Sequence, residues 1–337
     1  MDKNYNLYSI NLIRCFAALF VVFFHINKSI GSFGVDIFFV LSGFLMTKIL
    51  CEKNLSFSKF IYHRMSRIIP IYWLATFLIY ILVIFIPESF NNTEANFIHF
   101  LKSIFFIPFF KNENILHPML AVGWTLNYEF YFYIICSVSI LFGKKYNFYF
   151  IVFLLTFLYF AAHVFKNLPP NILAFISNFI YLEFIYGIGI YYLIKKINLF
   201  NFDRLSNYIF LLLVISIFVL IYIDYYIPIS NYNRFIYFGI PSSMIVCLTI
   251  LLESSFKFST NNALLRFFII IGDSSYSIYI FHLFIIGFIN LLLYYLGVEL
   301  YFYIYFPLTM ISVVLFGIFV NYIFDKKILY FLRGKIA

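Results

Sequence analysis

Apolar runs of roughly twenty residues recur along this chain, separated by short clusters of polar and basic residues, and that rhythm admits few folds. A helix needs about 20 apolar residues to cross about 30 Å of hydrocarbon, and runs such as 208–223 and 302–324 are apolar on every face. Within lipid, backbone N–H and C=O groups must be satisfied inside a helix or around a closed barrel. A transmembrane barrel would show ten-residue alternation, which these runs lack, so helices are the reading. With 64% of 337 residues hydrophobic and 11% charged, a pair of soluble domains is excluded. The expected fold is all-α, a polytopic transmembrane helix bundle.

Ten spans are predicted, beginning near residues 8, 33, 69, 122, 147, 172, 207, 235, 267 and 301. Placing the N-terminus in the cytoplasm puts 17 of the 23 Lys and Arg residues on that side. Five (Lys28, Lys102, Lys111, Lys166 and Arg234) fall outside, and Arg14 alone lies within a span. Positive residues collect on the cytoplasmic side of short loops, so both termini are predicted to be cytoplasmic. The net charge of +9 is therefore topological, and no nucleic-acid partner is expected. Cys15, Cys51, Cys136 and Cys247 form no CxxC pair, which suggests neither a metal site nor a disulfide framework. The N-terminal run reads as a retained first span. The outer loop 87–121 carries an apolar patch at 104–110, too short to cross and expected to be interfacial or re-entrant. No linker separates domains, so 1–337 reads as a single membrane-embedded domain.

A charge at mid-bilayer costs about 2.5–3.5 kcal/mol even on the lenient insertion scale, so charged groups there must face the interior of the protein or water. Arg14 and His25 are eleven residues apart, an offset of about 20° and a rise of about 16.5 Å, so they share a helix face. Ala18 and Val21 lie between them, small enough for a thin ligand to run along the stripe. The plain alternative is an interfacial Arg14 that snorkels and a core histidine. Asp36 in the second span, Glu129 in the fourth and His282 in the ninth are expected at the depth of His25. Ser275 and Tyr279 share a face with His282 at i, i+4, i+7. Singly, Asp36 reads as a helix cap, Glu129 as the partner of a distant arginine and His282 as bonded to a backbone carbonyl. Together they read as a site. Arg64 and Arg67, three apart at the start of the third span, suit an anion held by two guanidinium forks, or a lipid headgroup.

These segments together resemble the acyltransferase 3 family of integral membrane O-acyltransferases, O-antigen and exopolysaccharide acetylases among them. Arg14 and His25 match its Arg-x10-His pattern, residues 34–44 its GVDxFFVLSGF block and Arg64-Met65-Ser66-Arg67 its RxxR element. Trp124-Thr125-Leu126 with Glu129-Phe130-Tyr131 is similar to the WSLxxExxFY block, with Thr125 where serine is common. The stretch from Gly272 through Tyr276 and Tyr279 to His282 is similar to the GxxSYSxYxxH block. The chain ends 13 residues after Phe324, so no appended periplasmic domain is expected.

The resemblance implies acetyl-CoA as donor and the hydroxyl of an envelope glycan or lipid-linked oligosaccharide as acceptor, in a bacterial cytoplasmic membrane. In that scheme Arg64 and Arg67 take the donor phosphates, and Arg14 takes a phosphate or amide carbonyl. The pantetheine arm lies along the Arg14–His25 stripe, and His25 is general base or transient acyl acceptor. Asp36 or Glu129 orients the ring, with Trp124, Ser275, Tyr279 and His282 in support. The competing class is a transporter or flippase for a lipid-linked sugar, with the intramembrane charges as a proton relay.

Overall fold

A computed structural model describes residues 8–90, 93–111, 115–197, 203–230, 233–255 and 262–334. Lys3, Lys257 and Lys335, counted above among the cytoplasmic cations, lie outside the described residues. Among the described residues there is no strand, and ten helical segments are long and apolar enough to cross a membrane. In chain order the helices are α1 (Tyr8–Asn27), α2 (Gly34–Glu52), α3 (Phe57–Phe85), α4 (Phe97–Ile104), α5 (Gly123–Ser139), α6 (Asn147–Val164), α7 (Pro170–Ile176) and α8 (Glu183–Ile197). There follow α9 (Ser206–Tyr226), α10 (Arg234–Tyr237), α11 (Gly239–Ser255), α12 (Ala263–Asp273), α13 (Ser275–Leu296), α14 (Phe302–Val320) and α15 (Lys326–Arg333). The chain divides into two compact units, Met1–Thr47 with Glu183–Asn321, and Lys48–Leu182 with Tyr322–Ala337.

Two spans begin elsewhere than expected. The third starts at Phe57, twelve residues early, with Ser56 accepting from the Lys59 amide at 3.4 Å and Pro70 inside the helix. Lys59, His63, Arg64 and Arg67 made this stretch look like a loop, and proline ordinarily reads as a helix start or break. The ninth starts at Ser275, because the helix is interrupted at Ser274 between α12 and α13.

In the first unit α1 is central. Cys15, Ala18, Val22 and Ile26 pack with Ile271 of α12, Ile278 and Ile286 of α13, and Val313 and Val314 of α14. Small residues let helix backbones approach closely in membranes. A Cβ on Gly34 would lie 2.4 Å from the Ala17 carbonyl oxygen and 2.8 Å from a Val21 methyl. Ala18 is 0% and Val21 2% exposed, so protein atoms fill the stripe that was expected to leave room for a thin ligand. Gly31 turns the chain from α1 into α2 at φ 113°, a conformation that favours glycine. Asp224 of α9 fastens this turn, accepting from the amides of Gly31 (2.6 Å) and Ser32 (3.1 Å) and from the Ser32 hydroxyl (2.9 Å).

In the second unit the apolar patch after α4 folds back on α3 and α5. Phe106 stacks on Tyr72 at 4.8 Å and on Phe130 at 4.4 Å, and is buried with Phe109, while Phe105 and Ile107 stay exposed. Tyr72 and Trp73 of α3 donate to the Ser103 and Ile104 carbonyls at 3.1 and 3.0 Å. At the other end of this unit α15 is fastened to the start of α3. Arg333 donates to the His63 carbonyl (2.6 Å) and the Ser66 hydroxyl (3.0 Å), and Tyr62 donates to the Leu332 carbonyl.

Candidate active site

The first unit brings His25 and His282 together. His25 sits in the last turn of α1 and His282 on α13, with ring centroids 4.7 Å apart and planes at 62°. His282 Nε2 lies 3.3 Å from His25 Nδ1. Each ring is also tied to its own helix, His25 Nδ1 to the Val21 carbonyl at 2.9 Å and His282 Nδ1 to the Tyr279 carbonyl at 2.7 Å. His282 is wholly buried and His25 partly exposed. Tyr279 and Ser275 are buried on α13, and the Tyr279 ring packs on Phe38 at 6.1 Å. Arg14 is half-buried on α1.

Asp36, expected as an orienter of His25, has both carboxylate oxygens bonded to Arg234 instead. Arg234 Nε donates at 2.9 Å and its terminal nitrogen at 2.6 Å, and that same nitrogen donates to the Ser32 carbonyl at 2.9 Å. Asp36 is 0% and Arg234 18% exposed, so the fork closes a shielded, bidentate pair. Beside Asp36 lies Glu183 at the start of α8, fully buried, with neither oxygen meeting an N–H or hydroxyl donor. Sequence reasoning missed Arg234, Glu183 and Asp224 as site neighbours. The signal for Glu183 was present, because it is a carboxylate inside an apolar run. Arg234 had been counted as an outer-loop cation, whereas it opens α10 and turns inward.

The second unit holds Arg64, Arg67, Trp124 and Glu129. Arg64 lies about two turns into α3, half-buried, and its Nε reaches no acceptor. Glu129 accepts from the Tyr133 hydroxyl one turn along α5, and both act electrostatically on Arg64. Arg67 and Arg333 are within electrostatic reach of Arg64, and Asp325 of Arg333. The result is a first part of α3 with three guanidinium groups about it, the third, Arg333, counted in the sequence only among the cytoplasmic cations because it lies 266 residues from Arg67. Trp124 stacks on His117 at 6.1 Å and meets Tyr128 edge-on. Nearby in the loop, Lys111 donates to the Thr93 hydroxyl, and burial pushes its ammonium down to about 8. Burial, with Lys111 adding to it, also lowers His117. Among the described residues no three His, Cys, Asp or Glu side chains gather as metal ligands.

Ten apolar helices among the described residues, carrying a histidine pair, a shielded ion pair and a group of guanidinium side chains, mark an integral membrane protein with polar groups inside its helices. The acyltransferase-domain model of the acyltransferase 3 family matches residues 7–323, and the chain belongs to that family. It is similar to the exopolysaccharide production protein ExoZ of Rhizobium meliloti, 36% identical over 120 residues, 35% of this chain and 37% of that protein. It is also similar to the peptidoglycan O-acetyltransferase OatA of Listeria monocytogenes, 34% identical over 149 residues, 40% of this chain and 24% of that protein. The chain thus spans about a third and a quarter of the length of these two relatives. A protein of Acidianus two-tailed virus, ORF330, is 26% identical over 325 residues, 91% of this chain and 92% of its own. No solved structure matches the chain.

Proposed function

We propose that the chain moves an acetyl group from acetyl-CoA to a hydroxyl of an envelope polysaccharide or its lipid-linked precursor. The observation that carries this is the partly exposed His25 imidazole, backed by a buried second imidazole, in a chain matched along 7–323 by the acyltransferase family. Acetylation of polysaccharide comes from the relatives named above, one an exopolysaccharide production protein and one a peptidoglycan O-acetyltransferase.

The chemistry needs a base, an anion holder and an acyl carrier. His25 takes the proton of the acceptor hydroxyl while its oxygen attacks the thioester carbonyl carbon. The carbon–sulfur bond then breaks, and the same proton passes to the departing thiolate, so the ring ends as it began. Arg64 and Arg67 bind the donor phosphates, for which a guanidinium with an unused N–H is suited. Arg14 supplies a further cation on α1, and Trp124 offers an aromatic face to a sugar ring. In this reading both termini are cytoplasmic and the membrane is the bacterial cytoplasmic one. Cysteines at the exposed positions Lys53 and Lys166 should then label from opposite sides.

Purified protein incubated with labelled acetyl-CoA should hydrolyse or transfer the label, whereas a transporter would leave it intact. His25→Ala should lower transfer by about 10²–10⁴-fold in a protein that still inserts. Full activity in that variant excludes His25 as the base.

A further inference from the structure

We propose that His282 is a positioning residue that fixes the tautomer of His25, so that Nε2 of His25 is the nitrogen that takes the acceptor's proton. This rests on His25 as the base, and it names the atom and the group that sets it. The protons are assigned from the acceptors around each ring.

A backbone carbonyl can only accept. The Val21 carbonyl at 2.9 Å therefore places a proton on His25 Nδ1, and the Tyr279 carbonyl at 2.7 Å places one on His282 Nδ1. In a neutral imidazole the other nitrogen carries a lone pair. His282 thus presents the Nε2 lone pair to His25 Nδ1 at 3.3 Å, and His25 shares its one Nδ1 proton between the Val21 carbonyl and His282. The opposite tautomer of His25 would turn its Nδ1 lone pair toward two other lone pairs at once. Its Nε2 is then the only free base on the ring.

The arrangement also acts during transfer. When His25 takes a proton on Nε2 it becomes an imidazolium, and the bond from its Nδ1 to His282 becomes charge-assisted and stronger. A triad assigns that task to a carboxylate. Here the buried carboxylate expected to do so, Asp36, has both oxygens on Arg234, and a neutral imidazole with no exposed surface takes its place. His282 is held in turn by the Tyr279 carbonyl, so the relay is carbonyl, imidazole, imidazole, hydroxyl.

The test is the nitrogen spectrum of protein labelled with ¹⁵N-histidine, with the His25 signals assigned by their loss in His25→Ala. Wild-type protein should show His25 with its proton on Nδ1 and a bare Nε2, and a proton on Nε2 overturns the proposal. His282→Phe keeps an aromatic ring and removes the acceptor. It should lower kcat by about 100-fold or more with KM for acetyl-CoA unchanged, and His282→Gln, whose carboxamide oxygen can reach the same place, should recover part of the loss. Unchanged kcat in His282→Phe, or no advantage of Gln over Phe, also overturns it. If instead His25→Ala is fully active while the spectrum shows the Nδ1 tautomer, the base assignment fails and the tautomer lock stands.

Discussion

The two units treat a buried guanidinium in opposite ways. In the first, the Asp36 carboxylate meets the Arg234 fork on both oxygens, Asp224 accepts from the α1–α2 turn, and His282 Nε2 lies 3.3 Å from His25 Nδ1. In the second, Arg64, Arg67 and Arg333 gather against Glu129 and Asp325, and one buried guanidinium N–H of Arg64 is left without an acceptor. The first unit engages its buried guanidinium at Arg234 and leaves a carboxylate, Glu183, without an N–H or hydroxyl donor. The second leaves a guanidinium N–H unused, and a buried N–H without a partner costs roughly 1–3 kcal/mol until something supplies one, which fits the anion-holding role proposed for Arg64.

The largest effect that would break this contrast lies in the ion pair. Removing one member of a buried pair costs about 3–5 kcal/mol, because the other charge is left uncompensated. Arg234→Met and Asp36→Asn are each expected to lower the unfolding free energy by about that amount, and the double variant by clearly less than the sum. Because Arg234 also holds the Ser32 carbonyl in the turn after His25, transfer should fall together with stability. Strictly additive losses would mean that the pair is not a unit, and the contrast between the paired Arg234 and the unused Arg64 N–H would lose its first half.

A smaller effect is expected at the arginines, and it should appear in binding instead of stability. A hydrogen bond to a charged group contributes about 1.5–3 kcal/mol, so Arg64→Gln should raise KM for acetyl-CoA by about 10- to 100-fold with the folded yield unchanged. Arg67→Gln should act in the same direction. Glu129→Gln removes the carboxylate that balances Arg64 and should severely impair transfer. Wild-type turnover in that variant would reduce Glu129 to a purely structural bond with Tyr133.

The fold was largely legible because a span is a local property. Length, apolar content and flanking charge set the ten segments, and the exceptions came from chemistry that imitates a boundary, as with the cations before Pro70 in α3. The glycines of residues 34–44 and of the block at 272 were legible as a pattern, though their role as backbone contact points required the partner helix. The pairings within the site were not legible. Asp36 and Arg234 are 198 residues apart and His25 and His282 are 257 apart, and nothing in either neighbourhood tells a carboxylate which cation it will find. Equal depth suggested that Asp36 and His25 would meet, but depth is one coordinate of three, and both Asp36 oxygens are taken by Arg234.

The smallest effect separates two cations of the second unit by their chemistry. Arg64 stays charged whatever its surroundings, whereas a lysine can shed its proton when desolvated. Lys111, half-buried against Thr93 and the Met119 carbonyl, is lowered from 10.5 to about 8 by burial. Its charged form is the one disfavoured by folding, so between about 8 and 10.5 the unfolded chain binds a proton that the folded chain does not, and stability rises with pH through that window. With the ammonium still partly hydrated the gain should be under about 1 kcal/mol. Unfolding of the detergent-solubilised protein followed from pH 7.5 to 10 should show that rise, and Lys111→Met should remove it and stabilise the protein at the lower end. An unchanged slope in Lys111→Met would assign the rise to another group and leave the lysine as one more hydrated loop cation.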